Sequence, residues 1–224
     1  MKGNTHASRV TRHLFMIIKI EQNKNSIKES LVEVANIIKS GGVVIFPTET
    51  LYGLGGKVRD LTVIKRIYKI KERSPLKPLP VMVHDIKEIY ELSGYVPTYA
   101  RLLAEKYWPG PLTLVLKCHP SPATCGKDSV AIRIPDYKIA LDLLKYTGEP
   151  LAVTSANLSG EENLFTIDEI ISAFEDKVDV ILDAGEITYG VPSTIVDVTG
   201  EKVNILREGK IPSEEIFRVV KGEE

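Results

Sequence analysis

Apolar residues in "SIKESLVEVANIIKSGG" recur at Ile27, Leu31, Val34, Ala35 and Ile38, steps of three and four that gather them on one face of a helix. Ser26 with Glu29 reads as a capping box at its start, and Gly41–Gly42 stops it. The run "VVIF" (Val43–Phe46) has no polar alternation and predicts a buried strand. Asp60 predicts the N-cap of a second helix with Ile64, Ile67 and Tyr68 on its buried side. Further strands are predicted at Leu79–Val83, Leu112–Leu116 and Ser129–Pro135. Helices are predicted near Lys87–Leu92, over Thr98–Tyr107, up to Leu144 and between Thr166 and Phe174.

"PLAVTSANLSG" places a short apolar strand directly before a polar loop. "VDVILDAG", "STIVDVTG" and "KVNILREG" supply three late strands, the last two suited to a hairpin around Thr199–Gly200. Strands and helices interleave, yet the late strands arrive close together with tight turns. That order predicts a single α/β domain with a mixed sheet, not a regular doubly wound one.

The chain has 224 residues, 43% of them hydrophobic, enough for one large core. Its formal net charge of -1 excludes a globally basic nucleic-acid binder and leaves room for a local basic groove. Cys118 and Cys125 form no C-x-x-C pair, which disfavours a thiolate metal site and excludes a secreted disulfide framework; two free thiols are expected in preference to a local bridge. No apolar run approaches the roughly 18 residues that span a bilayer, and a cytoplasmic protein with no membrane partner is expected. Lys2, Arg9 and Arg12 precede the first acid, Glu21. The pattern of residues 1–15 is that of a disordered extension, with the folded domain over residues 16–224.

Four polar stretches fall at strand ends or turns, where open α/β sheets hold ligands. "FPTETLYGLGG" (Phe46–Gly56) reads as a glycine-rich loop without lysine, its Thr48, Thr50 and Tyr52 offering short uncharged hydrogen-bonding groups. Glu49 within it fits either an outward structural carboxylate or a magnesium contact. "KIKERSPLKP" crowds Lys69, Lys71, Arg73 and Lys77 before a proline-broken loop, an arrangement suited to a polyphosphate or to a solvated helix end. "TSANLSG" supplies Thr154, Ser155, Asn157 and Ser159 for a carboxylate, a ribose or an amide edge, or for a simple turn. "GVPSTIVD" and "ILREG" bring Ser193, Thr194 and Arg207.

No P-loop signature and no G-x-G-x-x-G occurs. His6, His13, His84 and His119 are scattered, so neither a metal site nor a Ser-His-Asp triad is indicated. Catalysis by charge neutralisation and positioning fits these residues better than a covalent nucleophile.

In combination, "FPTETLYGLG", "KERSPLKPL", "WPGPLTLVL", "VAIRIPD", "SANLSG", "GVPSTIVD" and "ILREG" resemble, in order, the YrdC-like threonylcarbamoyl-AMP synthase family. The match runs from about Ile27 to Ile211. The resemblance implies a twisted mixed parallel/antiparallel sheet with helices around it and a deep basic cleft. It implies a reaction in which L-threonine, bicarbonate and ATP give threonylcarbamoyl-AMP and pyrophosphate. A downstream tRNA threonylcarbamoyl-transferase complex then modifies an adenosine beside the anticodon.

By the same resemblance Thr50, Arg133, Ser155 and Ser193 hold threonine. Arg73, Lys77, Ser129, Asn157, Thr166 and Arg207 hold ATP, and Lys71 and Arg73 are the catalytic cations, with Mg2+ carried by the nucleotide. Many relatives have a histidine in the strand after the basic loop, where this chain has Met82; His84, two residues on, is expected on the same strand face. The chain resembles the short form without an added C-terminal domain. Two rival readings use the same fold: a non-catalytic RNA-binding or ribosome-maturation factor, with weak tRNA or double-stranded RNA binding, and a paralogue carrying related carbamoyl-adenylate chemistry to another acceptor.

Overall fold

The computed structural model describes residues 15–21, 23–120, 127–186 and 190–222. In chain order the elements are β1 (Met16–Lys19), α1 (Lys24–Lys39), β2 (Val44–Phe46), β3 (Gly53–Lys57), α2 (Leu61–Ile70), β4 (Val81–Met82), α3 (Lys87–Leu92) and α4 (Thr98–Tyr107). They continue with β5 (Leu112–Lys117), β6 (Ser129–Arg133), α5 (Lys138–Thr147), β7 (Leu151–Ser155), α6 (Ile167–Phe174), β8 (Val180–Asp183), β9 (Thr194–Asp197), β10 (Asn204–Arg207) and α7 (Ser213–Lys221). Apart from Phe15, the expected disordered extension lies outside the described residues, as does Cys125; Cys118 is a free thiol. No described helix is long and apolar enough to cross a membrane.

One sheet runs in the order β1-β8-β2-β3-β7-β4-β6-β5-β9-β10. It is mixed: β1–β8, β2–β8, β4–β6 and β5–β9 are parallel, while β2–β3, β3–β7, β4–β7, β5–β6 and β9–β10 are antiparallel. The α/β mixed sheet expected from the sequence is therefore present.

Successive residues of the central strands feed opposite cores, which is why "VVIF" shows no polar alternation. Val43 and Ile45 join one core with Ile64, Ile67, Leu103 and Phe174 from α2, α4 and α6. Val44 and Phe46 join the other with Leu31, Val34, Ala35 and Ile38 of α1 and Leu143 and Leu144 of α5. Among the described residues α1 and α5 supply the helices over this second face. Over β6, β5 and β9 the same face carries Arg133, Thr113 and Ile195 and opens into a cavity.

Four expectations need correction. Helix α1 begins before Ser26: Asn23 is its N-cap, with Oδ1 accepting from Asn25 N at 3.1 Å, and Ser26 sits in the first turn. The chain's capping box is at α6, between Thr166 and Glu169. The last four residues of the supposed glycine-rich loop, Gly53–Gly56, belong to strand β3, whose glycines make room for neighbouring chain and not only for a ligand. A Cβ on Gly55 would lie 2.7 Å from Ala152 O, and one on Gly56 2.9 Å from Gly42 O, so no side chain fits between these strands. Finally, β4 ends at Met82, and His84 turns away so that its Nδ1 lies 2.8 Å from Glu88 Oε2.

Other signals are met as written. Asp60 caps α2 by accepting from Thr62 N and Val63 N, and Gly41 ends α1 in the left-handed region at φ 90°.

Candidate active site

The cavity has a volume of about 270 Å³. Its floor is the open sheet face, with Met82, Val153 and Ile195; its walls are the ends of strands. Thr48 and Thr50 follow β2, Ser155 ends β7, Arg133 ends β6, Ser193 precedes β9 and Arg207 ends β10. Arg73 enters from the loop after α2. Among the lining residues are three arginines and no carboxylate, so the cavity favours anions. A larger groove of about 750 Å³ runs along the outer face of α1, lined by Lys28, Glu29, Val32 and Glu33 among others. Its polar lining residues are exposed and form no buried polar cluster, and we do not regard it as a catalytic site.

Arg133 is buried, and all three of its nitrogens are engaged. Nε donates to Gly110 O at 3.1 Å, Nη1 to Thr50 Oγ1 at 3.0 Å and Nη2 to Glu49 Oε1 at 2.5 Å. Glu49 Oε1 also accepts from Asp136 N at 3.0 Å, so this carboxylate ties the loop after β2 to the loop after β6. Glu49 is thus an inward ion-pair partner of Arg133, with its side chain 13% exposed, and not an outward carboxylate.

Lys71 forms the opposite support. It caps the C-terminus of α2, is 1% exposed, and its Nζ donates to Ser155 O at 2.6 Å, to Asn157 Oδ1 at 2.9 Å and to Asn157 O. Burial first, and the neighbouring Arg73 second, push its pKa from 10.5 down to about 8. Glu72, at φ 50°, turns the chain so that Lys71 points into the protein while Arg73 reaches the cavity. Arg73 Nε donates to Lys77 O at 3.1 Å and Nη2 to Pro78 O at 2.9 Å, which leaves Nη1 without a partner among the described residues. Of the two cations, Arg73 lines the cavity and Lys71 supports its wall from behind.

A bulge between Ile205 and Arg207 brings Arg207 opposite Ile195. Its Nη2 donates to Ser193 O at 2.8 Å and Oγ at 3.3 Å. Burial first, and the nearby Arg133 second, push the Arg207 pKa down. Ser193 Oγ also lies 2.8 Å from Thr113 Oγ1.

Gly209 holds this corner together. A Cβ there would press on Pro192 O and come within 2.6 Å of Ser193 O. Gly209→Ala is expected to cost about 2 kcal/mol through overpacking and to displace Ser193. Thermal unfolding gives the stability loss, and a crystal structure of the variant gives the displacement.

Of the residues assigned from the sequence, Thr50, Arg73, Arg133, Ser155, Ser193 and Arg207 line the cavity. Lys71 and Asn157 lie directly behind Ser155. Lys77, Ser129 and Thr166 do not line it: Lys77 is exposed, Ser129 pairs with Lys117 in the sheet and Thr166 caps α6. Thr113 and Asn163 are lining residues that sequence reasoning missed. Thr113 carried a signal, a polar residue inside the apolar run of β5; Asn163 carried none.

Arginines and buried hydroxyls around a small cavity on a mixed-sheet α/β fold suit a small anionic, hydrogen-bonding ligand. The Sua5/YciO/YrdC family model, described as "Telomere recombination", matches residues 36–209. The chain belongs to this family.

It is 39% identical over 189 residues to a threonylcarbamoyl-AMP synthase of Pyrococcus abyssi, covering 83% of this chain and 56% of that protein. The synthase of Bacillus subtilis is 36% identical over 214 residues, covering 94% and 61%. The putative synthase of Methanocaldococcus jannaschii is 40% identical over 204 residues, covering 90% and 97%. The chain therefore spans 56% and 61% of the length of the first two relatives and nearly all of the third. Among solved structures, P. abyssi Sua5 complexed with L-threonine superposes with a TM-score of 0.86 at 37% identity, covering 91% of this chain and 60% of that one. E. coli YciO superposes with a TM-score of 0.79 at 28% identity, covering 90% and 98%.

Proposed function

We propose that this chain makes threonylcarbamoyl-AMP and pyrophosphate from L-threonine, bicarbonate and ATP. The observation that carries the reading is the convergence of Arg73, Arg133 and Arg207 on one cavity whose remaining polar side chains are uncharged hydroxyls and the Asn163 amide. Such a site suits an amino acid at the hydroxyls and phosphates at the arginines. The synthase names of the relatives and the threonine complex of P. abyssi Sua5 support it.

Thr50, Ser155 and Ser193, with Arg133 behind Thr50, hold threonine in this reading. Arg73 and Arg207, each with an unshared Nη1 among the described residues, take the phosphates. Lys77, Ser129, Asn157 and Thr166 complete the nucleotide contacts in this reading. The carbamate formed on the threonine nitrogen attacks the α-phosphate through oxygen. A new O–P bond replaces the bond to pyrophosphate, which leaves with its electron pair. The arginines and Lys71 stabilise the charge that develops, and no side chain forms a covalent intermediate.

Among the described residues no group of three or more His, Cys, Asp or Glu could hold a metal ion, and no carboxylate lines the cavity. Magnesium then enters as part of the nucleotide substrate. The product passes to a tRNA threonylcarbamoyl-transferase complex in the cytoplasm, and weak contact with tRNA or double-stranded RNA belongs to the same proposal.

The test is pyrophosphate release, expected only when ATP, threonine and bicarbonate are all present. Arg73→Ala is expected to lower kcat/KM about 100-fold while leaving the melting temperature nearly unchanged. Arg73 bonds only two carbonyls of its own loop, so a large drop in melting temperature would mark it as structural instead.

A further inference from the structure

The sheet has two edge strands, and they are built differently. At β10 the register slips between Ile205 and Arg207, and Asn204 and Arg207 put polar side chains on a short strand. A bulge and polar residues keep an edge from pairing with another chain. Strand β1 has no bulge: Met16–Lys19 pairs with Val180–Asp183 in unbroken register. The run from Met16 to Ile20 contains no proline or glycine and a single charge, Lys19.

The free side of β1 follows from its bonding to β8. Met16 N donates to Asp179 O at 3.0 Å and Ile20 N to Asp183 O at 2.8 Å. In a parallel pair every second residue bonds the neighbouring strand. Met16, Ile18 and Ile20 therefore face β8, and the backbone groups of Ile17 and Lys19 point away from it. No described strand pairs on that side. The side chains of Met16, Ile18 and Ile20 join the core beneath α1 but are only partly buried, and Ile17 is 46% exposed.

Helix α1 is covered on one flank, where α5 packs against it. The groove along its outer face runs from Met16 of β1 past Lys28, Glu29, Val32, Glu33 and Asn36. Val32, in the middle of this stripe, is 38% exposed. The stripe carries both signs of charge, a lysine toward the N-terminus of the helix and two glutamates nearer its middle.

We propose that this edge is the contact with a second copy of the chain, β1 pairing antiparallel with β1 of the other copy about a two-fold axis. With Ile17 of each copy opposite Lys19 of the other, the outward backbone groups of both residues are bonded. Ile18 then meets its own counterpart at the axis, with Cα atoms ~4.5 Å apart, and Met16 meets Ile20. The partly buried apolar row closes on itself. The same axis sets the two α1 helices antiparallel on one face of a continuous sheet. Their reversed stripes bring Lys28 of one copy toward Glu29 and Glu33 of the other. A surface that matches its own two-fold image selects a second copy over an unrelated strand. The cavity lies over β6, β5 and β9, away from this edge, so the contact leaves it free.

The experiment is sedimentation velocity of the full chain between about 1 and about 100 µM, with hydrogen exchange at both ends of the range. A species of twice the monomer mass is expected to grow with concentration, and the Ile17 and Lys19 amides to become protected with it. Ile17→Pro removes an outward donor without touching a bond to β8, and is expected to weaken association at least about 30-fold. Ile17→Lys sets a lysine against Lys19 of the other copy and is expected to weaken it as well. Lys28→Glu is expected to weaken association about fivefold, and adding Glu33→Lys to restore part of the loss. Melting curves of dilute samples verify that each variant is folded; if Ile17→Pro is not, Ile17→Lys decides.

A full chain that stays monomeric over this range overturns the proposal, in favour of a cover within one chain where the two amides are protected even so. A dimer that survives the Ile17 variants unchanged overturns the choice of β1. A dimer weakened by Lys28→Glu and not recovered by Glu33→Lys overturns the antiparallel match of the two helices.

Discussion

Lys71→Met is expected to lower threonine-dependent pyrophosphate release about 1000-fold, the largest functional effect foreseen for a single change in this chain. Methionine fills a similar volume but withdraws the one donor that Ser155 O, Asn157 O and Asn157 Oδ1 share. The Asn157 amide is then held only by its Nδ2 bond to Glu161 O and by the Ser155 hydroxyl, and the loop after β7 loses its charged tie to α2. Lys71→Arg is not expected to rescue. A planar fork does not fit a slot that is 1% exposed and shaped around a point charge. The measurement is kcat/KM for both substrates beside a melting curve. More than a tenth of wild-type activity in Lys71→Met would show that the ammonium is dispensable.

The charge on Lys71 gives the same prediction a pH dependence. Burial and Arg73 hold its folded-state pKa at about 8, against 10.5 for an ordinary lysine. As pH rises through about 8 the folded protein discharges this ammonium, so the part of the activity that depends on it falls. Stability moves the other way. Between about 8 and 10.5 the unfolded chain binds the proton that the folded one has lost, so the cost of burying the charge, fully felt below 8, is relieved as pH rises. A wild-type profile that falls above pH 8 while the melting temperature does not fall separates the two effects. In Lys71→Met that limb of the profile should vanish.

The contrast between Lys71 and Arg73 shows where sequence reading stops. Both were legible as cations before a proline-broken loop, but side-chain direction depends on Glu72 in the left-handed region, and no residue preference announces that for a glutamate. Strands β2, β5 and β8 were legible because a strand buried on both faces reads as a mostly apolar run, and β6 because its residues alternate. Strand β3 was not, since its residues are mostly glycines chosen for close packing against Ala152, Val153 and Gly42, and glycine is also the mark of a loop.

The cavity itself was half legible. Hydroxyls and arginines at strand ends could be named from motifs. That Arg207 meets Ser193 depends on a bulge, and that Glu49 meets Arg133 depends on a pairing across 84 positions. His84 failed for the opposite reason. Alternation predicts a face only while the strand lasts, and β4 stops at Met82.

Asp179→Ala is expected to be the most destabilising change away from the cavity, costing about 3 kcal/mol. Asp179 is 4% exposed, and its Oδ2 accepts from Val43 N at 2.7 Å and from Arg66 Nη1 at 2.5 Å. Its backbone bonds both neighbouring strands: Asp179 N donates to Val43 O at 2.8 Å, and Asp179 O accepts from Met16 N at 3.0 Å. Removing the carboxylate orphans a buried amide and leaves Arg66 with only Lys177 O. The full penalty of a buried unpaired charge does not arise, because the Arg66 side chain is 34% exposed and can turn to water. At this chain length the loss corresponds to a fall of about 6–12 °C in melting temperature.

Asp179→Asn keeps an acceptor for Val43 N and loses only the charge, so about 1 kcal/mol is expected. Val43 precedes β2, whereas Thr48 and Thr50 follow its far end, so the damage lies away from the cavity. Both variants should therefore keep near wild-type pyrophosphate release at low temperature and differ in the temperature at which it is lost. Equal melting temperatures for the two would show that the charge, and not the hydrogen bond to Val43, holds β8 against β2.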